Sequence, residues 1–320
     1  MMKLKHIALG LAAVAVLALA GCSSSAKAST GKKTVKIGIL QLINQTALDD
    51  ARQGFEQELA KEGYKSDKIK IDYVNAQGDQ SNLQSMSQRL KQDKNDVNLA
   101  IATPAAQALM KADKDTPMVF TAVTDPKAAG LVANPNHPEA NATGVTDMTD
   151  IKGQLEYLKQ LFPKTKTVGL LYNAAEQNSV VQIKTATKAA KQLGLKVAKA
   201  TVASTNDVQS ATETLAGKSD AMYLVTDNTV AAAMPTVGKL SLSKHVPVVC
   251  AASTMVEDGG VATKGISYKE LGKQTARMAI KILKGKKVAD LPVEKPAKTT
   301  VVKNEKMMKA FGLTDADVEK

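Results

Sequence analysis

The stretch at residues 97–110, VNLAIATPAAQALM, constrains the fold most, because it predicts a buried strand that runs directly into a helix. Thr103 is a favourable N-cap residue, and Pro104 suits the first helical position, where its missing N–H costs nothing. Such a junction leaves backbone amides unpaired at the positive end of the helix, with only the small side chains of Ala105 and Ala106 beside them. The pattern predicts a small anion site. An ordinary capped helix in a parallel sheet is the alternative.

A second stretch, residues 219–234, repeats this plan. Its sequence, SDAMYLVTDNTVAAAM, places an apolar strand before Thr226-Asp227-Asn228-Thr229 and an alanine-rich helix after it. The segments 33–41, KTVKIGILQ, and 166–172, KTVGLLY, form another matching pair, each a short β-branched strand that opens one half of the chain. Two halves with one plan predict two similar lobes whose strand ends point into a common cleft.

Strand and helix patterns alternate through the rest of the chain, which predicts parallel sheets with helices on both faces. We therefore expect an α/β fold of two similar Rossmann-like lobes with parallel sheets, joined by a multi-strand hinge. The expected boundaries are 34–146 plus 265–295 for the first lobe and 147–264 plus 296–320 for the second. Hinge segments are expected near Thr146, Gly265 and Pro296.

Residues 1–22 have the pattern of a lipoprotein signal peptide, in which Lys3 and Lys5 precede an apolar run that ends at Leu19-Ala20-Gly21-Cys22, a lipobox. The run is too short for a comfortable membrane span, and 23–33 is typical of a flexible polar linker. We expect lipidation of Cys22 and a protein anchored on the extracytoplasmic face of a bacterial cell membrane. An ordinary cleaved signal peptide with an incidental cysteine is the alternative.

Composition and missing motifs exclude several classes of function. The 320 residues are 44% hydrophobic, enough for sizeable cores, and the net charge of +12 comes from lysines scattered along amphipathic helices, which argues against nucleic-acid binding. The motifs Gly-x-Ser-x-Gly, His-Glu-x-x-His and Gly-x-Gly-x-x-Gly are missing from the sequence. We therefore expect neither an enzyme nor a cofactor or metal. Cys250, the only cysteine besides Cys22, is expected to be a small buried apolar residue.

Short motifs spread over essentially the whole chain after the linker carry a family resemblance. They are Gly38-Ile39-Leu40-Gln41, Ala47-Leu48-Asp49, Asn75-Ala76-Gln77-Gly78-Asp79, Ala102-Thr103-Pro104-Ala105-Ala106-Gln107, Phe120-Thr121-Ala122-Val123-Thr124-Asp125-Pro126, Thr143-Gly144-Val145, Leu171-Tyr172-Asn173, Asn178-Ser179, Asn206-Asp207-Val208, Thr226-Asp227-Asn228-Thr229 and Glu270-Leu271-Gly272. With them the sequence resembles the substrate-binding lipoproteins of ABC transporters in the tryptophan/tyrosine uptake family, which have a type I periplasmic-binding-protein fold. It departs from that pattern at Gln45-Thr46, where family members tend to have His-Pro.

The resemblance implies an extracytoplasmic solute-binding component of an ABC importer, with an aromatic amino acid, tryptophan or tyrosine, bound between the lobes. Its implied partners are an ABC permease with its ATPase, and the membrane through the lipid anchor. A lipid-anchored sensor of the same fold for another amino acid, a nucleoside or a sugar is the alternative, since Gln45-Thr46 changes specificity if it touches the ligand. Sugar binders usually stack their ligand on Trp, and the sequence has none, which favours an amino acid or another small polar ligand.

A free amino acid needs one partner for its carboxylate and one for its ammonium group, and the two junctions can supply them from opposite lobes. Thr103 and the amides of Ala105 and Ala106 suit the carboxylate, and Asp227 suits the ammonium group. Additional hydrogen bonds are expected from Thr124, Asn173 and Ser179. For Asp227, the alternative is a plain N-cap of the following helix, and capping and ligand contact can coexist.

The remaining candidate site residues surround the same predicted strand ends. Gln41 ends the first strand, Asn75 and Gln77 either line the cleft or only shape a turn, and Tyr172 either forms an apolar wall or belongs to the core. For Asp125, just before Pro126, turn formation is the better interpretation.

Overall fold

The structure, a computed structural model, describes residues 34–319. The predicted signal peptide 1–22, its lipidation site Cys22 and the linker 23–33 lie outside the described residues. The strands are β1 Val35–Gln41, β2 Ile69–Asn75, β3 Val97–Ile101, β4 Met118–Thr121, β5 Ala142–Gly144, β6 Thr167–Asn173, β7 Lys196–Val202, β8 Ala221–Leu224, β9 Val248–Cys250, β10 Ala262–Ile266 and β11 Thr299–Lys303.

The helices alternate with these strands, and they are α1 Thr46–Lys61, α2 Gln80–Gln92, α3 Thr103–Ala112, α4 Ile151–Leu161, α5 Gln177–Gln192, α6 Val208–Ala216, α7 Asn228–Ala231, α8 Met234–Lys244, α9 Ser253–Glu257, α10 Tyr268–Leu283, α11 Glu305–Ala310 and α12 Asp315–Val318. Within residues 34–319, no helix combines the length and apolar character that a membrane crossing requires.

Each lobe is built on one parallel sheet, and the two sheets share their strand order. The first sheet has the order β2-β1-β3-β4-β5, and the second has the order β7-β6-β8-β9. In both, the strand that opens its half of the chain lies second, beside the strand of the matching junction. The predicted two-lobed α/β architecture is therefore confirmed, and the carboxyl ends of the strands in each sheet share one edge, where ligands of such sheets bind.

Two local predictions were wrong. The sequence Thr143-Gly144-Val145-Thr146-Asp147 predicts the crossing into the second lobe, but Thr143 and Gly144 belong to β5, which pairs with β4 through Phe120 and Gly144. The single alanine-rich helix predicted after β8 is divided into α7 and α8. Pro235 lies in the first turn of α8, and because proline has no N–H to donate, it suits the start of a second helix and not the interior of a longer one.

The segments that cross between the lobes lie side by side. Val145 forms an isolated parallel bridge with Glu294, and the amide of Thr146 donates to the carbonyl of Glu294 at 2.9 Å. β10 pairs antiparallel with β11, which places Gly265 opposite Thr300. This arrangement holds several chain segments together near the predicted hinge positions, while the lobe boundaries stay a prediction.

The apolar core consists of two clusters that meet at the second sheet. One cluster fills the first lobe and continues onto one face of the second sheet, where it includes Leu171 and the fully buried Cys250. The other cluster includes Leu170 and covers the opposite face of that sheet. Leu170 and Leu171 are neighbours in β6, and they enter different clusters because successive side chains of a strand point to opposite faces.

Helix α10 follows the second lobe in sequence but packs on the first lobe, directly against α1. Glycines make this close approach possible. A Cβ at Gly272 would lie 1.9 Å from the carbonyl oxygen of Ala51, and one at Gly54 would lie 2.1 Å from that of Lys269. The backbones of α1 and α10 are therefore in direct contact, which explains why glycine stands in the Glu270-Leu271-Gly272 motif.

Candidate ligand-binding site

A cavity lies between the two lobes, where the strand ends of both sheets meet. Its lining includes Gln45 and Ala122 from the first lobe, Asp227 and Thr254 from the second, and Asp147 from the crossing segment. The cavity is small, with a volume of about 10 Å³. A ligand of amino-acid size therefore requires the lobes to separate or side chains to move.

Asp227 is the buried centre of a hydrogen-bond cluster at this cavity. Its Oδ2 accepts from the amide of Asn173 at 2.6 Å and from the hydroxyl of Ser179 at 2.7 Å. Its Oδ1 accepts from the amide of Val230 at 2.8 Å, which makes Asp227 the N-cap of α7. The side chain of Asp227 therefore caps α7 and also lines the cavity. The structure brings the predicted residues Asp227, Asn173 and Ser179 together.

Burial is the main cause that raises the pKa of Asp227 to about 7, and the nearby carboxylate of Glu176 raises it further. Glu176 is itself buried and accepts hydrogen bonds from Asn228 and Thr229. The hydrogen bonds from Asn173, Ser179 and Val230 lower the pKa of Asp227, but by less than burial and Glu176 raise it. A cationic group of a ligand placed beside Asp227 would favour its charged form.

Thr124 links the lobes beside the cavity. Its hydroxyl donates to Oδ1 of Asp147 at 2.8 Å and lies 3.3 Å from the hydroxyl of Thr226 in the second lobe. Oδ2 of Asp147 accepts from the hydroxyl of Tyr268 at 2.8 Å. Burial raises the pKa of Asp147, and the hydrogen bonds from Tyr268 and Thr124 oppose this shift.

The first junction differs from its sequence-based interpretation. Ala102, with φ of 83°, is the N-cap of α3, and Thr103 is the first helical residue. The prediction that Thr103 caps the helix was wrong, because the chain turns one residue earlier, through a conformation that L-residues rarely adopt. The hydroxyl of Thr103 is buried without a hydrogen-bond partner in the described part of the chain.

Three further predicted residues are buried in the first lobe and, like Thr103, are not among the lining residues of the cavity. Ala105 and Ala106 are fully buried in α3. Gln41 is fully buried, and its amide donates to Ile43 at 2.9 Å and to Asp49 at 2.8 Å. Its side-chain oxygen has no hydrogen-bond partner among residues 34–319.

The last predicted residues lie further from Asp227. Gln77 has a φ of 55° and lines, with Asn173, a second crevice between the lobes. Asn75 shapes the adjoining turn, since its side-chain oxygen accepts from the amide of Gln77 at 2.9 Å. Tyr172 is half-buried and packs against the second core cluster.

Sequence reasoning missed several polar residues that line the cavity, among them Asp147, Thr254 and Tyr268. Thr254 is buried and its hydroxyl has no partner in the part of the chain that the structure describes. It follows β9, so the rule that ligands lie at the carboxyl ends of strands could have identified it. Asp147 and Tyr268 each follow a segment that crosses between the lobes. No sequence pattern marks these two positions as ligand-binding.

Two lobes of one plan, with a buried polar cavity between their strand ends, define a two-lobed solute-binding protein of the type I periplasmic-binding-protein class. Residues 36–318 match the family described as ABC transporter substrate binding protein. The chain belongs to this family. Proteins of this family are extracytoplasmic binding components, as the resemblance in the sequence implied.

Three similar proteins show more closely what this chain resembles. A tyrosine-binding protein of Clostridioides difficile (strain R20291) is 38% identical over 91% of this chain and 85% of its own length. The crystal structure of an ABC domain in complex with L-Trp from Streptococcus pneumonia is 39% identical, covers 89% of this chain and 98% of that one, and has a TM-score of 0.86. The ligand-free, open structure of a substrate-binding protein with adhesive properties from Clostridium difficile is 42% identical, covers 88% and 96%, and has a TM-score of 0.68.

The open relative is slightly more similar in sequence than the L-Trp complex, but it superimposes less well. Sequence divergence therefore does not explain the difference between the TM-scores of 0.68 and 0.86. The relative with the lower TM-score is described as ligand-free and open, and rotation of one lobe against the other lowers a whole-chain superposition. The direct contacts between Thr124 and Thr226 agree with a closed arrangement in this chain.

Proposed function

We propose that this protein binds an aromatic amino acid, tyrosine or tryptophan, between its lobes and delivers it to an ABC permease that works with its ATPase. The observation that carries this proposal is the buried carboxylate of Asp227, which faces the cavity between the lobes. Among the described lining residues none is a lysine, arginine or histidine, so a ligand with an ammonium group would supply the missing positive charge. The tyrosine-binding and L-Trp-bound relatives support the choice of ligand class.

In this proposal, Asp227 binds the ammonium group, and Asn173 and Ser179 hold its carboxylate in place. Thr103 and the amide of Ala105 bind the ligand carboxylate when the lobes are open enough to admit it. The predicted contact from the amide of Ala106 is not part of this proposal, because that amide already donates to the carbonyl of Ala102 at 3.1 Å. The buried, unpartnered hydroxyl of Thr103 supports this assignment, because a native structure rarely leaves such a group without a partner.

The other predicted residues complete the proposed site. Thr124 joins the lobes over the ligand, and Gln41, with its unpartnered oxygen, can accept a hydrogen bond at the same strand edge. Asn75, Gln77 and Tyr172 shape the approach to the site. Gln45 lines the cavity. Because Gln45 departs from the family pattern, it affects which ligand side chains the site accepts.

We further propose that Cys22 is lipidated and anchors the protein on the outer face of the cell membrane. The Leu19-Ala20-Gly21-Cys22 motif directly after an apolar run supports this part of the proposal. The polar linker 23–33 would then give the two lobes freedom to reach a permease in the same membrane.

A thermal-shift screen of the mature protein tests the proposed ligand. L-tyrosine and L-tryptophan are compared with L-phenylalanine, L-leucine, nucleosides and sugars, because a ligand that binds only the folded state raises the melting temperature. We expect a concentration-dependent rise with tyrosine, tryptophan or both. A rise with a nucleoside or sugar, and none with any amino acid, would contradict the proposal.

A further inference from the structure

The cavity contains a second carboxylate that the proposed site does not use. Asp147 lines it together with Asp227 and is 3% exposed. Each of its oxygens accepts one hydrogen bond, from Thr124 and from Tyr268. A carboxylate can accept about four hydrogen bonds, so Asp147 keeps unused acceptor capacity beside the cavity.

Neither of its partners carries a positive charge. Thr124 and Tyr268 are hydroxyl donors, and the described lining of the cavity includes no lysine, arginine or histidine. A buried carboxylate without a cation is costly, and native structures keep such groups where a ligand or a proton compensates for them.

Asp147 also has a special place in the chain. It lies in the segment between β5 and α4, where the chain crosses from the first lobe to the second. Its partner Tyr268 begins α10 directly after another crossing strand, β10. Its other partner, Thr124, lies within 3.3 Å of Thr226 in the second lobe. A group bound to Asp147 would therefore contact the segment that crosses between the lobes, one hydrogen bond away from Thr124, which lies 3.3 Å from Thr226.

We propose that Asp147 binds the ammonium group of the ligand jointly with Asp227. This inference rests on the proposed function and extends it. An ammonium group has three N–H donors, so it can serve two carboxylates that line one cavity. The ligand class is then narrower: the site prefers amino acids with a free α-ammonium group, and it binds analogues in which that group is removed or acylated more weakly. Recognition of the ammonium group and closure of the lobes become one event, because one of its two partners belongs to the hinge.

The test compares Asp147→Asn with Asp125→Asn, which removes the same charge from an aspartate that is not among the lining residues of the cavity and whose carboxylate accepts hydrogen bonds from Lys127 and Ala128 in its own turn. The probes are L-tyrosine and L-tryptophan, each paired with its des-amino analogue, 3-(4-hydroxyphenyl)propionate or indole-3-propionate. Calorimetric titration measures all affinities. For Asp147→Asn we expect affinity for the amino acid to fall by roughly 10- to 100-fold, while affinity for the des-amino analogue changes by less than about threefold. For Asp125→Asn we expect both affinities to stay at the wild-type level.

Equal losses for the amino acid and its analogue would overturn the inference, because they would show that Asp147 acts only through its hydrogen bonds to Thr124 and Tyr268. An unchanged affinity in a folded Asp147→Asn variant would overturn it as well. If wild-type protein binds neither amino acid, the proposed function itself fails, which is a distinguishable result.

A crystal structure of the wild-type protein with the bound amino acid gives a test that does not depend on the folding of any variant. We expect the ligand nitrogen within about 3.2 Å of an oxygen of Asp147, which is hydrogen-bond distance. A ligand nitrogen that contacts Asp227 and lies beyond that distance from Asp147 would leave Asp227 as the sole carboxylate partner and overturn the inference.

Discussion

The hydroxyl of Thr46 donates a hydrogen bond of 2.8 Å to the carboxylate of Asp258 across the opening of the cleft. Thr46 begins α1 in the first lobe, and Asp258 follows α9 in the second. Because the two residues belong to different lobes, this bond is available only to a closed arrangement. The bond therefore favours the closed arrangement over the open one by the free energy that it contributes.

Replacing Thr46 by valine should weaken ligand binding modestly. An exposed hydrogen bond of this kind contributes about 0.5–1.5 kcal/mol, so we expect affinity to fall by roughly two- to tenfold, mainly through faster dissociation. Calorimetry and stopped-flow fluorescence measure the effect. Thr185→Val is the control, since Thr185 bonds only to its own helix at Val181.

Small-angle scattering should show a smaller radius of gyration with ligand, and an unchanged radius at saturation would contradict closure.

Asp227→Ala should have the largest effect on amino-acid binding. It leaves the ligand's ammonium group without its main partner, which costs roughly 3–5 kcal/mol, or a few hundredfold or more in affinity. Thr103→Ala removes one hydrogen bond and leaves the amides of α3 in place, so it should cost less, roughly 1–3 kcal/mol. Titration calorimetry of both folded variants measures these losses. Binding within about twofold of wild type for Asp227→Ala would show that Asp227 is only a helix cap.

Affinity for an amino acid should depend on pH through Asp227. Burial and Glu176 raise the pKa of Asp227 to about 7, so below that pH the ligand-free protein holds a proton on this carboxyl. An ammonium ligand favours the ionised form, and binding must release the proton. Affinity should therefore be constant above about pH 7 and fall by up to roughly tenfold per unit below it. Calorimetry between about pH 5 and pH 8 tests the sign, and the dependence should be weaker in Asp227→Asn, in which only Asp147 can still exchange a proton on binding.

Gly272→Ala should destabilise the first lobe. A Cβ at this position would lie 1.9 Å from the carbonyl oxygen of Ala51, so α1 and α10 must move apart. We expect a loss of about 2 kcal/mol or more in the free energy of unfolding, measured by urea denaturation. Gly217→Ala is the matched control: the nearest atom to its Cβ lies 3.7 Å away, and stability should change little. Equal stability of the two variants would contradict the close contact of the helices.

Cys22→Ala should release the protein from the membrane. The thioether-linked lipid can form only on the cysteine of the lipobox, so cells that express this variant should incorporate no radiolabelled palmitate into the protein. Gel electrophoresis with autoradiography measures incorporation, and Cys250→Ser serves as the control because Cys250 is buried. Label that persists in Cys22→Ala would contradict lipidation at this residue.

The fold was predictable where the sequence repeats itself. The junctions at residues 97–110 and 219–234 each contain an apolar strand and a helix start, and both became corresponding strands of two sheets with one order. The position of Asp227 was predictable because it follows an apolar strand and precedes a helix, and the structure places it at the cavity as the N-cap of α7. These features depend on local patterns, which a single sequence contains.

Features that depend on long-range packing were not predictable. The strand β5 is only three residues long, and it exists because Gly144 can lie against Phe120. Asp147 is an ordinary aspartate in sequence, and its burial depends on Tyr268, which lies 121 positions away. The turn at Ala102 uses a conformation for which an alanine gives no signal. Each case depends on contacts between residues that are distant in the sequence.

The packing of α10 against α1 also determines when the first lobe can finish folding. Its sheet comes from residues 35–144, but the helix that covers α1 comes from residues 268–283. The second core in turn includes Met308, close to the end of the chain. As the ribosome synthesises this polypeptide from its N-terminus, neither lobe can complete its core from the early residues alone, and folding must wait for sequence-distant contacts. The helix that covers α1 is therefore made only after both sheets, so the surface of α1 that α10 covers stays without its native partner through most of synthesis.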